Sequence, residues 1–381
     1  MLFNSPIYIF AFLPVVVLLY LLLNRSGYSS SGKAFLVLAS LFFYGYWNPY
    51  YLILIISSII VNFIIGNRLQ CSFSSTDDSP SPARKKLVTL GILFNIGLLA
   101  YFKYADFFID NLNLVAGSSL SLLHIALPLA ISFFTFQQIA YLVDSYKEDT
   151  RPYSFLDYAL FVSFFPQLIA GPIVHHKQMM PQFFEPKNAL VNWANIASGV
   201  TIFFIGLFKK VVIADTFAIW ADAGFNSDVP LSFFEAWGAS LSYTFQLYYD
   251  FSGYTDMAIG AALLFNIRLP INFNSPYKAV NIQDFWRRWH ITLSGWLRDY
   301  VYIPLGGNRV GQIRIYFNLF LTFLVGGIWH GAGWNFALWG ALHGAALVIH
   351  RVWNLLGLRL HAAFGWLLTF LFVNITWVFF R

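Results

Sequence analysis

The chain has 381 residues, 58% of them hydrophobic and only 10% charged, with a mean hydropathy of +0.63. An ordinary soluble domain carries roughly 25% charged residues, so the composition excludes a soluble enzyme and calls for a multi-pass membrane protein. The net charge of +6 sits mostly in short loops between apolar runs, where it sets topology and meets anionic headgroups, so nucleic acid is not expected as a partner.

Residues 7–23 read as a retained first transmembrane helix, because no basic segment precedes them and no small-residue cleavage site follows. A helix needs about 20 apolar residues to cross the bilayer core. Further candidates follow at 34–47, 51–66, 87–102, 122–143, 195–214, 236–249, 316–329, 334–350 and 364–380. Segment 158–174 carries Pro166 and Pro172 and reads as re-entrant, and 254–267 is too short to assign. The expected fold is all-α, a multi-pass integral membrane protein of about ten transmembrane helices with re-entrant and interfacial helices. No internal repeat or second soluble domain interrupts it, so a single domain spans 1–381.

The loop 24–33 holds Arg25 and Lys33, and the loop 67–86 holds Arg68, Arg84, Lys85 and Lys86. If 34–47 and 51–66 form a hairpin, both loops share one side. The positive-inside bias makes that side cytoplasmic and the N-terminus extracytoplasmic. The stretch CSFSSTDDSPSPARKK reads as a flexible polar loop. It holds Cys71, the only cysteine, so no internal disulfide is possible, and the thiol is assigned no role.

The run QLYYDFSGYTDMAIG places Asp250 and Asp256 in a membrane-like stretch, and buried carboxylates need partners. Region 281–314 offers them. Phe285, Trp289, Thr292, Leu293, Trp296 and Tyr300 fall on one face at helical spacing; Asp284, Arg287, Arg288, Ser294 and Arg298 fall on the other. The pattern predicts one amphipathic helix ended by Pro304 and Gly306-Gly307. Arg287, Arg288 and Arg298 are expected to pair with Asp250 and Asp256, the alternative being a grip on a phosphate-bearing donor.

The segment GGIWHGAGWNFALWGALHG (326–344) sets His330 and His343 among membrane-compatible residues. Intramembrane titratable groups are functional by default, and His330 is the candidate general base, because a neutral imidazole takes a proton near neutral pH. At about 100° per residue, His343 does not share its face unless the glycines break the helix. It stands between packing and a catalytic or supporting role. His290 joins them as a candidate beside Arg287 and Arg288. His175, His176 and His361 lie in or near loops and read as solvated; His124 and His350 lie near segment ends. The spacing of His290, His330 and His343 matches no zinc-binding pattern, so no metal is expected. Neither a phosphate-binding loop nor a nucleophile elbow is present.

With LPLAISFFTFQQIAYLVDSYK, FFPQLIAGPIV, QLYYDFSGYTDMAIG, FWRRWHITLSGWLRDYVYIPLGGNR and the 326–344 segment in order, the chain closely resembles the membrane-bound O-acyltransferase family (MBOAT). It looks most like the branch of bacterial alginate O-acetylation. The resemblance implies that His330, in the WHG motif, is the catalytic histidine. It makes His290, in WRRWH, the second functional histidine and His343 a supporting one. It also implies a ring of helices around a central tunnel. Family members commonly continue past this chain's ITWVFFR, so the chain reads as a fragment or a short variant.

The expected activity is O-acyl transfer. An acetyl group passes from a cytoplasmic thioester, acetyl-CoA or another acyl thioester, to a hydroxyl for extracytoplasmic polysaccharide O-acetylation. His330 acts as base and His290 orients the donor or polarises its carbonyl. No tightly bound cofactor is expected. The expected partners are membrane lipid, the thioester donor, a periplasmic acetyl-relay protein and polysaccharide machinery, in the bacterial inner membrane. The rivals are D-alanyl transfer to teichoic acid and, from a different class, a proton-coupled transporter using Asp250, Asp256 and His330.

Overall fold

The computed structural model describes residues 1–25, 29–71, 81–147, 152–169 and 171–381. Among these every regular element is a helix. In hydrocarbon, backbone groups find no water, and a helix satisfies them within one segment. The chain forms two compact units: Met1–Phe204 with Asp256–Pro270, and Ile205–Thr255 with Ile271–Arg381.

The first unit contains α1 (Leu13–Arg25), α2 (Ser29–Gly45), α3 (Tyr51–Cys71), α4 (Pro82–Leu99), α5 (Ala105–Ala116) and α6 (Ile131–Tyr146). The shorter α7 (Phe155–Ser163), α8 (Phe165–Leu168) and α9 (His176–Phe184) follow, then α10 (Trp193–Phe208). Its interior joins α3, α4 and α6 through polar side chains. Ser58 Oγ donates to Gln138 Oε1 at 2.8 Å, Asn95 Nδ2 donates to Asn62 Oδ1 at 2.6 Å, and Asn62 also reaches Gln138. Such interhelical bonds are worth about 0.6 kcal/mol each in membranes, and their directionality fixes the register of three otherwise apolar surfaces.

The second unit contains α11 (Asp215–Phe225), α12 (Phe233–Leu263, up to Thr255), α13 (Ile282–Arg288), α14 (Ile291–Leu297), α15 (Gln312–His330), α16 (Trp334–Leu355) and α17 (Ala362–Phe380). Its core is aromatic: Phe285, Trp286, Trp289, Trp339 and Trp377 pack as one buried cluster.

Six helical stretches among the described residues are long and apolar enough to span a membrane: Tyr8–Arg25, Tyr51–Gln70, Pro82–Ala116, Trp193–Phe225, Gln312–His330 and Ala362–Phe380. The protein is thus a multi-pass membrane protein, with fewer such spans than the ten expected. The difference has four sources. The segment expected at 34–47 is α2, whose 17 residues fall short of a full span. The helix expected at 122–143 begins only at Ile131, after Pro128, and nearly all of it is buried in protein. The 236–249 segment is part of the longer α12, which carries Glu235, Asp250 and Asp256. The 334–350 segment is α16, whose interior positions carry His343 and Gly344.

Other expectations shift at their edges. Segment 158–174 is broken at Phe164, ahead of Pro166, into α7 and α8, with residue 170 outside the described residues. Ser81 caps α4, so Arg84, Lys85 and Lys86 are helical, and residues 72–80 and 26–28 lie outside the described residues. Lys33 belongs to α2 and bonds Asp157 at 2.7 Å.

Candidate active site

The expected amphipathic helix over 281–303 is two helices. Asn281 caps α13 through a 2.8 Å bond from the Asp284 amide, and α13 ends at Arg288. Trp289 is extended and His290 has φ +43°, so the chain turns before α14 begins. A non-glycine residue in this left-handed conformation costs roughly 1–2 kcal/mol and persists only where surroundings hold it.

Asn272 holds it. Its backbone carbonyl accepts from the Ile291 amide at 3.0 Å, while its side-chain Oδ1 accepts from the Thr292 amide at 3.2 Å and the Thr292 hydroxyl at 3.0 Å. His290 Nδ1 lies 3.2 Å from the same oxygen. The Thr292 N–H must face an acceptor, so the Asn272 amide has only one workable orientation. His290 Nδ1 must therefore carry a proton and donate it, leaving the Nε2 lone pair for another group. Both side chains are 1% exposed. Burial holds the His290 imidazole well below the usual histidine range, and positive charge on His330 pushes the same way.

His330 is the last residue of α15. Its ring centre lies 6.5 Å from that of His290, 5.2 Å from Trp339, 4.9 Å from Trp329 and 5.1 Å from Phe380. Two histidines distant in sequence thus share an aromatic enclosure. The glycines serve space rather than bending. Gly331 and Gly333 have extended backbones that any residue adopts, yet a Cβ at Gly331 would lie 2.1 Å from the Phe336 ring. Along the α15–α16 hairpin, a Cβ at Gly327 would meet Phe336 O at 2.4 Å, one at Gly340 would meet Phe323 O at 2.5 Å, and one at Gly344 would meet Phe320 O at 2.9 Å. Close backbone contact through small residues is a membrane packing device, and here it positions His330.

His343 is wholly buried on α16 with both ring nitrogens occupied. Trp286 Nε1–H donates to Nδ1 at 3.2 Å, so Nε2 carries the proton and donates to Thr376 Oγ1 at 3.0 Å. The chain Trp286–His343–Thr376 ties α13, α16 and α17 together, which supports the packing side of the two roles left open.

The expected ion pairs form differently. Asp250 bonds Lys210 at 2.8 Å, and Lys210 also bonds Asp215 at 2.6 Å. Arg288 pairs with Asp284 one turn back at 2.8 Å, and Arg298 with neighbouring Asp299 at 2.7 Å. Arg287 is exposed. Arg288 and Arg298 find carboxylates on their own helices, and Asp250 takes its cation from a π turn, Lys209–Ala214. Asp256 lies on the part of α12 that belongs to the first unit. Among the described residues no three His, Cys, Asp or Glu side chains form a metal-binding group.

A sequence profile of the membrane-bound O-acyltransferase family matches residues 85–381. The peptidoglycan O-acetyltransferase of Helicobacter pylori is 54% identical over 413 residues, covering 100% of this chain and 77% of that protein. A probable alginate O-acetylase of Pseudomonas aeruginosa is 42% identical over 391 residues, covering 100% of this chain and 72% of its own. The teichoic acid D-alanyltransferase of Bacillus subtilis is similar over less, 30% identical across 251 residues and 59% of this chain. The chain belongs to the membrane-bound O-acyltransferase family. It is an acyltransferase of the membrane.

In this acyltransferase, sequence reasoning passed over two residues and misplaced a third. Asn272 carries no spacing signal; only its position in a polar INFN stretch marks it. Trp339 lies against both His330 and His343. His176, expected to be solvated, is 1% exposed in the first unit, with Nε2 2.9 Å from Asp144 Oδ2 and Nδ1 3.4 Å from the Tyr153 hydroxyl. The correction has a simple cause: a histidine beginning a short helix looks loop-like until its partner, 32 positions away, is known.

Proposed function

We propose that this acyltransferase moves an acetyl group from an acyl thioester, acetyl-CoA or a carrier-bound equivalent, to a hydroxyl of an extracytoplasmic glycan. The observation that carries the reading is the pairing of His290 and His330 rings, 6.5 Å apart inside an apolar enclosure. His330 takes the proton of the acceptor hydroxyl as its oxygen attacks the thioester carbonyl. A C–O bond forms, the C–S bond breaks, and the proton passes to the departing thiolate. His290 presents the Nε2 lone pair, so in its neutral form it accepts a hydrogen bond from a hydroxyl and cannot polarise a carbonyl. That favours a role in holding the acceptor over the donor-orienting role expected from the sequence.

The identity to a peptidoglycan O-acetyltransferase supports a cell-wall glycan as acceptor, ahead of alginate. The same reading places one acyltransferase domain across 1–381 in the bacterial inner membrane, N-terminus outside, with a periplasmic acetyl-relay protein and polysaccharide machinery as partners. The D-alanyl alternative rests on the shorter likeness. The test is label transfer from acetyl-CoA to glycan in membranes. His330→Ala is expected to lower it by about 10²–10⁴-fold, the usual worth of a positioned base. Unchanged transfer at equal protein level overturns the assignment.

A further inference from the structure

A base that takes a proton from a glycan hydroxyl takes one from water as readily, and water is the commoner nucleophile. Water attack on the thioester carbonyl forms a C–O bond, breaks the C–S bond and sends the proton to the thiolate, so the acetyl group is lost as acetate. Excluding bulk water from the reacting centre is therefore part of the catalytic task.

The walls around His330 are all aromatic but not alike. Trp329 and Trp339 are buried, and Trp339 is wedged against Trp286 and Trp377, with ring centres 5.8 and 5.6 Å away. Phe380 is half-buried, as is His330 itself. The Phe380 ring lies 5.1 Å from His330, 5.2 Å from both Phe336 and Trp339, and 5.3 Å from Trp377. It is the wall of the enclosure turned toward the exterior. The next residue holds it there. Arg381 Nη2 bonds Asp222 Oδ1 at 2.5 Å, and the same guanidinium lies over the rings of Phe225 and Tyr243, 5.3 and 5.2 Å from their centres. A charge pair and two cation–π contacts thus pin the end of α17 to α11 and α12.

We propose that Phe380 is a water gate over the catalytic base, latched by Arg381, and that the glycan acceptor displaces its ring on entry. The base then meets the acceptor hydroxyl and not bulk water. The proposal rests on the reading of His330 as the base of acetyl transfer. The full chain in detergent is given acetyl-CoA and glycan, and free thiol is compared with acetyl on the glycan. In Phe380→Ala the ratio of thiol to acetyl-glycan is expected to rise roughly tenfold or more, because a positioned base is worth about 10²–10⁴ to whichever hydroxyl reaches it. Phe380→Leu, which keeps an apolar bulk in place, recovers part of the coupling. Asp222→Asn loosens the latch and raises the ratio by less, at most about fivefold, because the ion pair is partly exposed. Phe379→Ala, at the exposed neighbour, leaves the ratio unchanged. A merely structural loss lowers both products together and does not move their ratio. A second readout needs no acetyl transfer: modification of His330 by diethyl pyrocarbonate, followed by peptide mass, quickens in Phe380→Ala and not in Phe379→Ala. An unchanged ratio or an unchanged modification rate in Phe380→Ala, or an equal rise in Phe379→Ala, overturns the gate. Failure of the unaltered protein to acetylate glycan overturns the proposed function instead, and the modification rates still decide the gate.

Discussion

Replacing Asn272 probes how the active site is held. In Asn272→Leu the His290 Nδ1–H and the Thr292 amide lose their acceptor, while the Thr292 hydroxyl is free to rotate elsewhere. Each stranded buried donor costs about 1–3 kcal/mol. The gain is removal of Asn272 Nδ2, itself buried without a partner, which returns a similar amount for one group. The net loss is about 1–3 kcal/mol of stability, read by unfolding in detergent, together with a fall in acetyl transfer as His290 loses its tautomer. Asn272→Asp separates the two effects. It keeps an acceptor at the same place and adds a negative charge, which favours the imidazolium form that burial now suppresses. Acceptor binding through Nε2 requires the neutral ring, so the acidic limb of the pH–rate profile moves to higher pH. Activity falls at neutral pH and returns on the alkaline side. A profile that does not move, together with full activity in Asn272→Leu, would falsify the account of His290.

Three further outcomes follow from the packing. Gly340→Ala puts a Cβ 2.5 Å from Phe323 O and 2.9 Å from Gly327 Cα, both backbone atoms; a loss of about 1–3 kcal/mol and reduced transfer are expected, and an unchanged melting temperature would contradict the close hairpin. His176→Leu breaks a buried pair and leaves Asp144 short of its main partner, a cost of about 3–5 kcal/mol. Transfer per folded molecule should hold, and a selective loss of kcat would give His176 a direct part in the chemistry. Lys210→Met should cost only about 1 kcal/mol, because Asp250 and Asp215 are 41% and 46% exposed; a double-mutant cycle with Asp250→Asn measures it.

The sequence revealed what depends on local composition. Apolar runs located the helices around 7–23, 51–66, 195–214, 316–329 and 364–380, and the family motifs singled out His290 and His330. It did not reveal what depends on partners far along the chain. Asp250 pairs with Lys210, 40 positions earlier, while Arg288 and Arg298 each hold a carboxylate within one turn. The break at His290 has no glycine or proline to announce it; Asn272, 18 residues earlier, imposes it. Hydropathy counted α6 as a lipid-facing span because composition does not distinguish a helix sheathed by other helices from one sheathed by lipid.

The α15–α16 hairpin bears on how the protein enters its membrane. The two helices are joined by a turn of residues 331–333 and touch backbone to backbone at Gly327, Gly340 and Gly344. Because the partners are adjacent in the chain, the hairpin pairs as soon as both are made. His330 is then delivered to the bilayer already packed against Trp339 of the partner helix. The cost of a lone imidazole against lipid tails, which an insertion one helix at a time would impose, never arises. A longer linker in place of that turn would delay the shielding and expose the fault in yield of inserted protein, before any effect on catalysis.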